Sequence, residues 1–146
     1  MAGIGGVFRD SNGRFLQAFS APVDYTTNNV AELWALRSGL QIALQSSYHH
    51  LVIESDSLQT LMDIHRRHTN KWRNRQLLVG CLPLLSSFHT ARFLFGYREV
   101  NQVADLLAKM GASVFRYFHV FWEIPSFLSV VLLRDLSDTS FCRSIS

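Results

Sequence analysis

The stretch HHLVIESDSLQTLMDIHRR, residues 49–67, decides the fold that the sequence predicts. Its continuous apolar run LVI is typical of a buried strand in a parallel sheet, and we expect that strand over residues 50–54. Asp56 and Ser57 follow and open a helix that extends to about Arg67. A strand followed directly by a helix indicates an α/β domain.

The residues on either side predict further elements. Before the stretch, two runs of β-type residues flank a turn at residues 10–13, and a helix with apolar side chains at helical spacing follows. After it come a helix, a strand and a last helix closed by Gly111. The expected ranges are strands 4–9 and 14–20, helix 30–46, helix 76–86 with a kink at Pro83, strand 91–97 and helix 101–110. The order β-β-α-β-α-α-β-α predicts a mixed sheet flanked by helices.

The composition indicates one globular domain with a tail. Of the 146 residues, 48% are hydrophobic and 17% charged, enough apolar surface to offset the entropy of folding. We expect the domain over residues 1–111 and an apolar tail, residues 112–146, that packs on the domain or extends from it. Charged residues and a proline interrupt the tail, which argues against a membrane span.

No secretory signal is visible, so an intracellular protein of undetermined compartment is expected. Cys81 and Cys142 lack partners at metal-ligand spacing, and neither a disulfide nor a zinc site is indicated.

A basic run is the first candidate for binding. Lys and Arg outnumber Asp and Glu by 14 to 11, and cations concentrate in HRRHTNKWRNRQ, residues 65–76. Cations around an aromatic ring are the mixture that phosphates and bases favour. The alternative is a solvated helix end and loop. The residues concerned are Arg66, Arg67, Lys71, Trp72 and Arg73, whereas Trp34 lies at core spacing and is expected to pack.

Three acidic residues at element ends are the candidates for chemistry: Glu32, Asp56 and Asp105. Each also has a structural explanation. Asn29 and Glu32 have capping-box spacing, Asp56 is a natural N-cap, and Asp105 fits a wetted helix face. Phosphodiester hydrolysis with two Mg²⁺ ions about 4 Å apart needs a carboxylate cluster of this kind, because hard Mg²⁺ prefers oxygen ligands.

Three ordered motifs carry a family resemblance: TTNNVAELWAL at residues 26–36, VIESDS at residues 52–57 and YREVNQVADLLAKMG at residues 97–111. Together they resemble the ribonuclease H-type domain of plant retrotransposon proteins, the reverse transcriptase-associated branch. The resemblance implies a five-stranded sheet and a hydrolase, an endonuclease that cuts the RNA strand of RNA/DNA hybrids with two Mg²⁺ held by four carboxylates. Glu32, Asp56 and Asp105 correspond to three of the four. Thr27, Asn28 and Asn29 would contact the nucleic acid.

Two departures from the family pattern lower the expected activity. The family's first metal-binding Asp lies on an opening strand before the hairpin that starts here at Gly3, and Asp10, in the predicted turn, cannot replace it. Phe95 stands where the family commonly has a proton-transferring His, and an apolar ring moves no proton. We therefore expect a weak or inactive enzyme, in a chain that is a fragment of a longer protein or a decayed copy, with a missing upstream segment.

The missing central strand also predicts that its two neighbouring strands lose backbone partners, which invites pairing with another segment. Two alternatives to a nuclease stay open. One is a non-catalytic nucleic-acid-binding or interaction module. The other is a protein that docks on a partner through its apolar tail, residues 115–133.

Overall fold

Six strands form one mixed sheet in the computed structural model, which describes residues 2–24, 27–67, 72–96, 102–128 and 143–145. The elements are β1 (Ala2–Arg9), β2 (Phe15–Val23), α1 (Asn28–Gln45), β3 (His50–Ser55), α2 (Leu58–Arg66), α3 (Trp72–Ser86), β4 (Thr90–Phe95), α4 (Gln102–Ser113), β5 (His119–Phe121), a 3-10 turn (Ser126–Leu128) and β6 (Arg143–Ile145). Across the sheet the order is β4-β3-β6-β1-β2-β5. The predicted α/β class and the order of the first eight elements are confirmed.

A tight turn joins β1 to β2, as the sequence predicts. The Asp10 carboxylate oxygen Oδ1 accepts hydrogen bonds from the backbone N–H groups of Asn12 and Arg14, both at 2.9 Å. Gly13 adopts a φ of 80°, which a residue without Cβ reaches at little cost. Because its carboxylate bonds the turn, Asp10 is a structural residue.

The helix caps test the structural explanations of the acidic residues. The Thr27 hydroxyl accepts a hydrogen bond from the N–H three residues on, so Thr27 caps α1 and the Asn29 and Glu32 pair does not. The Ser57 hydroxyl does the same for α2, so Asp56 is not its cap. In both helices a hydroxyl residue with extended backbone supplies the capping oxygen. Glu32 and Asp56 are therefore not the capping residues.

The main core lies between the sheet and α1 with α3. β3 and β4 run parallel, in register from His50↔Thr90 to Ser55↔Phe95. Alternate β3 residues, Leu51 and Ile53, are 2% and 1% exposed. Since side chains alternate between the faces of a strand, Ser55 points to the same side as Ile53. The core also includes Ile4, Phe8, Phe19, Leu36, Leu40 and Leu78.

Helix α4 covers the other face of the hairpin, and glycines allow its close approach. A Cβ on Gly5 would lie 2.5 Å from the Leu107 Cβ, and one on Gly111 would lie 2.5 Å from the Ala21 carbonyl oxygen. The prediction that Gly111 ends the helix is wrong, because α4 continues to Ser113. Gly111 instead lets α4 sit against the backbone of β2.

The central position between β1 and β3 is filled by β6. This strand pairs antiparallel with β1 and parallel with β3. Another segment of the chain thus pairs with both flanking strands, as the sequence analysis expected of their open backbone groups. β5 adds to the free side of β2, so residues from the expected tail join the sheet at two places. The boundary at residue 111 stays a prediction.

Two further observations concern the chain as a whole. Within its described part, no helix combines the length and apolar character needed to cross a membrane.

Cys81 is a free, fully buried thiol on α3. Burial raises the pKa of this thiol to about 11, although the positive charge of Arg37 lowers it.

Candidate active site

Three acidic side chains from three elements lie near the end of β3. Glu32 is in the second turn of α1, Asp56 follows β3 directly, and Asp105 is in the first turn of α4. All three are partly buried. Glu32 is tied to the end of β3 by a contact with Ser55, whereas α4, which carries Asp105, packs on β1 and β2.

The pKa of Glu32 reflects its surroundings. Burial, which is the largest cause, and the negative charges of Asp56 and Asp105 together raise the pKa of Glu32 from 4.5 to about 7. A nearby like charge raises the pKa of a carboxyl group because it makes the ionised form less favourable. The charges of Asp56 and Asp105 therefore act on Glu32.

Ser55 is a member of this group that the sequence analysis missed. Its hydroxyl donates a long hydrogen bond of 3.5 Å to Glu32 Oε2, which lowers the pKa of Glu32. The same hydroxyl accepts a 3.1 Å bond from the backbone N–H of Ser57. The available signal was the strand alternation, since Ser55 is two residues after the core residue Ile53.

The carboxylates are suited to a divalent cation in chemistry but are not assembled around one. Carboxylate oxygens are the ligands that Mg²⁺ prefers. Within the described ranges, however, no three His, Cys, Asp or Glu side chains lie close enough together to hold a metal ion. A cation at this position would have to draw Glu32, Asp56 and Asp105 closer to one another.

Phe95 on β4 pairs in register with Ser55 on β3. An aromatic ring, which is 47% exposed, therefore stands beside the carboxylates. The rings of His49 and His89 lie 5.3 Å apart, and they precede β3 and β4 at the opposite end of these strands. These two histidines are therefore poorly placed to replace the family's His.

The residues expected to bind nucleic acid are described only in part. Thr27 is exposed at the N-terminus of α1, next to the partly buried Asn29, while the side chain of Asn28 is outside the description. Arg66 and Arg67 are exposed at the end of α2. Lys71 lies outside the described residues, as do the side chains of Trp72 and Arg73. The structure thus places Asn29 about one helical turn before Glu32, with Thr27 at the cap two residues earlier.

A separate cleft of about 1000 Å³ lies between α1, the start of α3 and the segment after α4. None of the three carboxylates lines it. Trp34 does, and its ring lies 5.6 Å from the Arg37 guanidinium carbon. The prediction that Trp34 packs in the core is wrong, because this residue is 38% exposed while its neighbour Leu33 is 1% exposed. On α1, Leu33 faces the core and Trp34 faces the cleft.

The fold is that of a ribonuclease H-like domain, and solved structures agree. Ribonuclease H1 of the archaeon Halobacterium salinarum NRC-1 superposes with a TM-score of 0.72 and 24% identity, over 75% of this chain and 83% of that one. The N-terminal ribonuclease H domain of a Mycobacterium tuberculosis protein gives a TM-score of 0.61 and 21% identity, over 75% of this chain and 91% of that one. At these identities the likeness concerns the fold.

The sequence gives the family. Residues 1–111 match the model of the reverse transcriptase-like family, and the chain belongs to that family. A protein of Arabidopsis thaliana, named provisionally as a ribonuclease H protein, is 29% identical over 136 residues, which are 92% of this chain. The chain spans about a fifth, 22%, of the length of that relative. The resemblance inferred from the three motifs is confirmed.

Proposed function

We propose that this domain binds RNA/DNA hybrids and hydrolyses their RNA strand slowly in the presence of Mg²⁺. One arrangement carries the proposal: Glu32 of α1 lies within hydrogen-bond distance of Ser55, the residue before Asp56, and the charges of Asp56 and Asp105 raise the pKa of Glu32. The ribonuclease H-like fold and the plant relative named as a ribonuclease H protein support the choice of substrate.

Glu32, Asp56 and Asp105 are the residues that would hold Mg²⁺. Bound there, the ion would supply Lewis-acid activation of water and stabilise the leaving oxygen. The protein's own contribution is to position the carboxylates. The hydroxyl of Ser55 donates to Glu32 Oε2 and thereby favours the ionised form of Glu32, the form that binds a cation.

Three features support slow hydrolysis. Glu32, with a pKa of about 7, is partly protonated at neutral pH and then binds metal poorly. Within the described residues, no three ligands are already gathered for a metal. Phe95, at the position beside Ser55, cannot transfer a proton to or from the reacting groups.

Hybrid binding is assigned to the surface around the start of α1 and to the basic run. The hydroxyl and amide groups of residues 27–29 can bond phosphate or the RNA 2′-hydroxyl, and the second contact distinguishes RNA from DNA. Exposed Arg66 and Arg67 add positive charge at the end of α2. Because such contacts release counterions, affinity should fall as salt rises.

The test is cleavage of an end-labelled RNA/DNA hybrid by the purified chain with Mg²⁺ or Mn²⁺. We expect slow cleavage that Asp56→Asn abolishes and that Asp24→Asn, the same change at an exposed residue, leaves intact. Double-stranded DNA of the same sequence should remain uncut. Equal cleavage by the native chain and Asp56→Asn would assign the activity to a contaminant and refute the proposal.

The second candidate is a nucleic-acid-binding module without catalysis. It is favoured by the lack of three gathered metal ligands in the described part of the chain. On this alternative, a labelled hybrid binds with an affinity that depends on salt but not on Mg²⁺, and Asp56→Asn binds as the native chain does. Binding that Mg²⁺ strengthens in the native chain alone would favour the nuclease.

A further inference from the structure

The cleft that Trp34 lines contains aromatic rings that are exposed and yet held in place. The Arg37 guanidinium carbon lies over the exposed Trp34 ring, 5.6 Å from its centroid. Phe118 is also exposed, but its ring stacks on the fully buried Phe19, with centroids 5.6 Å apart and planes inclined by 7°. Tyr117, at the same wall, is 81% exposed. The cleft therefore offers open ring surface on side chains whose positions are fixed by contacts.

The charges around these rings are mainly positive. Arg37 and Arg116 line the cleft, and Asp24 is the one acidic residue among the described lining residues. The start of α3 forms part of the wall, and the exposed Arg75 lies there, within the basic run of residues 65–76. Positive charge thus continues from the cleft onto the neighbouring surface. A ligand that carries both negative charge and flat rings would match these two features.

A single-stranded nucleic acid has this combination. It carries a phosphate at every nucleotide, and the flat faces of its bases are open to stacking on aromatic side chains. In a duplex the faces of the bases cover one another, so protein rings cannot stack on them. At about 1000 Å³ the cleft is at the upper end of the volumes of ligand pockets, about 300–1,000 Å³. Its size therefore suits a ligand at least as large as a nucleotide.

We infer that this cleft is a second nucleic-acid site, which binds a single-stranded segment by stacking bases on Trp34 and Phe118 and pairing phosphates with Arg116. Arg37 holds the Trp34 ring and adds positive charge beside it. The three carboxylates do not line the cleft, so the two sites are separate. Binding here depends little on base sequence, because every base has a face that can stack.

The experiment measures binding of a fluorescently labelled oligonucleotide of about twelve thymidines to the full chain, by anisotropy in EDTA at low salt. Trp34→Ala should weaken binding about tenfold or more, whereas Trp34→Phe, which keeps a ring, should stay within about threefold of the native chain. The matched control is Trp122→Ala, which removes an exposed tryptophan that is not among the described lining residues. It should bind as the native chain does.

A second pair of variants tests the charge. Arg116→Gln should lower the slope of log affinity against log salt by about 0.7, the value for one phosphate contact with a single strand. Arg14→Gln removes an exposed arginine at the turn, the opposite end of the β1–β2 hairpin from the cleft, and should leave the slope unchanged. An abasic oligonucleotide of the same length keeps the phosphates without the bases. It should bind the native chain about tenfold more weakly.

Several results would overturn the inference. Equal affinity of Trp34→Ala and the native chain, or of the abasic and thymidine oligonucleotides, would show that bases do not stack in the cleft. If Trp34→Ala does not melt cooperatively, Tyr117→Ala at a highly exposed position replaces it and should weaken binding about fivefold; unchanged binding overturns the inference. A dimer in sedimentation that Tyr117→Ala dissociates would identify a second copy as the occupant. The assay contains neither Mg²⁺ nor a hybrid, so its outcome is independent of the proposed hydrolysis.

Discussion

Replacing Glu32 by glutamine should make the domain more stable than the native chain at alkaline pH and leave it little changed in acid. The folded-state pKa of Glu32, about 7, is above the unfolded value of 4.5. The folded chain therefore holds a proton that the unfolded chain has already released. The resulting stability is fully present below about pH 4.5 and is lost as the pH rises through about 7.

The size of the effect follows from the two pKa values. The difference between 4.5 and about 7 is about 2.5, and each pKa unit is worth about 1.4 kcal/mol, which gives on the order of 3 kcal/mol. Glutamine keeps the shape of glutamate without the charge. Above about pH 8, Glu32→Gln should thus exceed the native chain in free energy of unfolding by up to about that amount.

The assay is urea unfolding of the native chain and Glu32→Gln at a series of pH values from about 4.5 to 8.5. Taking the difference between the two proteins cancels the other titrating groups. Glu123→Gln, at an exposed position, is the matched control and should show no such trend. A difference between Glu32→Gln and the native chain that does not change with pH would refute the reasoning, since it would mean that Glu32 titrates alike in the folded and unfolded states.

Further predictions concern the surroundings of this site and the packing. Ser55→Ala should raise the pKa of Glu32 above about 7, seen as a higher midpoint in the same pH series, because a hydrogen bond that lowers the pKa is lost. Gly111→Ala should destabilise the fold by about 1–3 kcal/mol or more in thermal melts, since its Cβ would lie 2.5 Å from a backbone oxygen, whereas Gly80→Ala, with its nearest contact at 3.8 Å, should be neutral or slightly stabilising. Cys81 should resist alkylation at about pH 8 in the folded chain, measured by peptide mass mapping, and react once urea unfolds it.

Local patterns were sufficient for most of the fold. The runs of β-type residues in β1 and β2, the apolar run of β3 and the helical spacing of α1 depend on residues close in the chain. The pairing of β6 with β1 and β3 could not be predicted in this way. Three residues, Arg143–Ile145, carry no distinctive strand signal, and their position depends on contacts with residues more than eighty positions away.

The candidate site shows the same division. Motif order was enough to nominate Glu32, Asp56 and Asp105, because the resemblance supplies what spacing alone does not. Helix capping was one explanation of the acidic residues, and spacing alone did not show that Thr27, and not the Asn29 and Glu32 pair, caps α1. The contact of Ser55 with Glu32 required the relative placement of α1 and β3, which the sequence does not state.

The proposed metal binding would explain the partly buried carboxylates, which helix capping does not. Thr27 and Ser57 cap the helices, so neither Glu32 nor Asp56 is needed for that purpose. Holding Glu32 near Asp56 and Asp105 costs free energy whenever Glu32 is ionised, and a divalent cation is a ligand that would offset this cost.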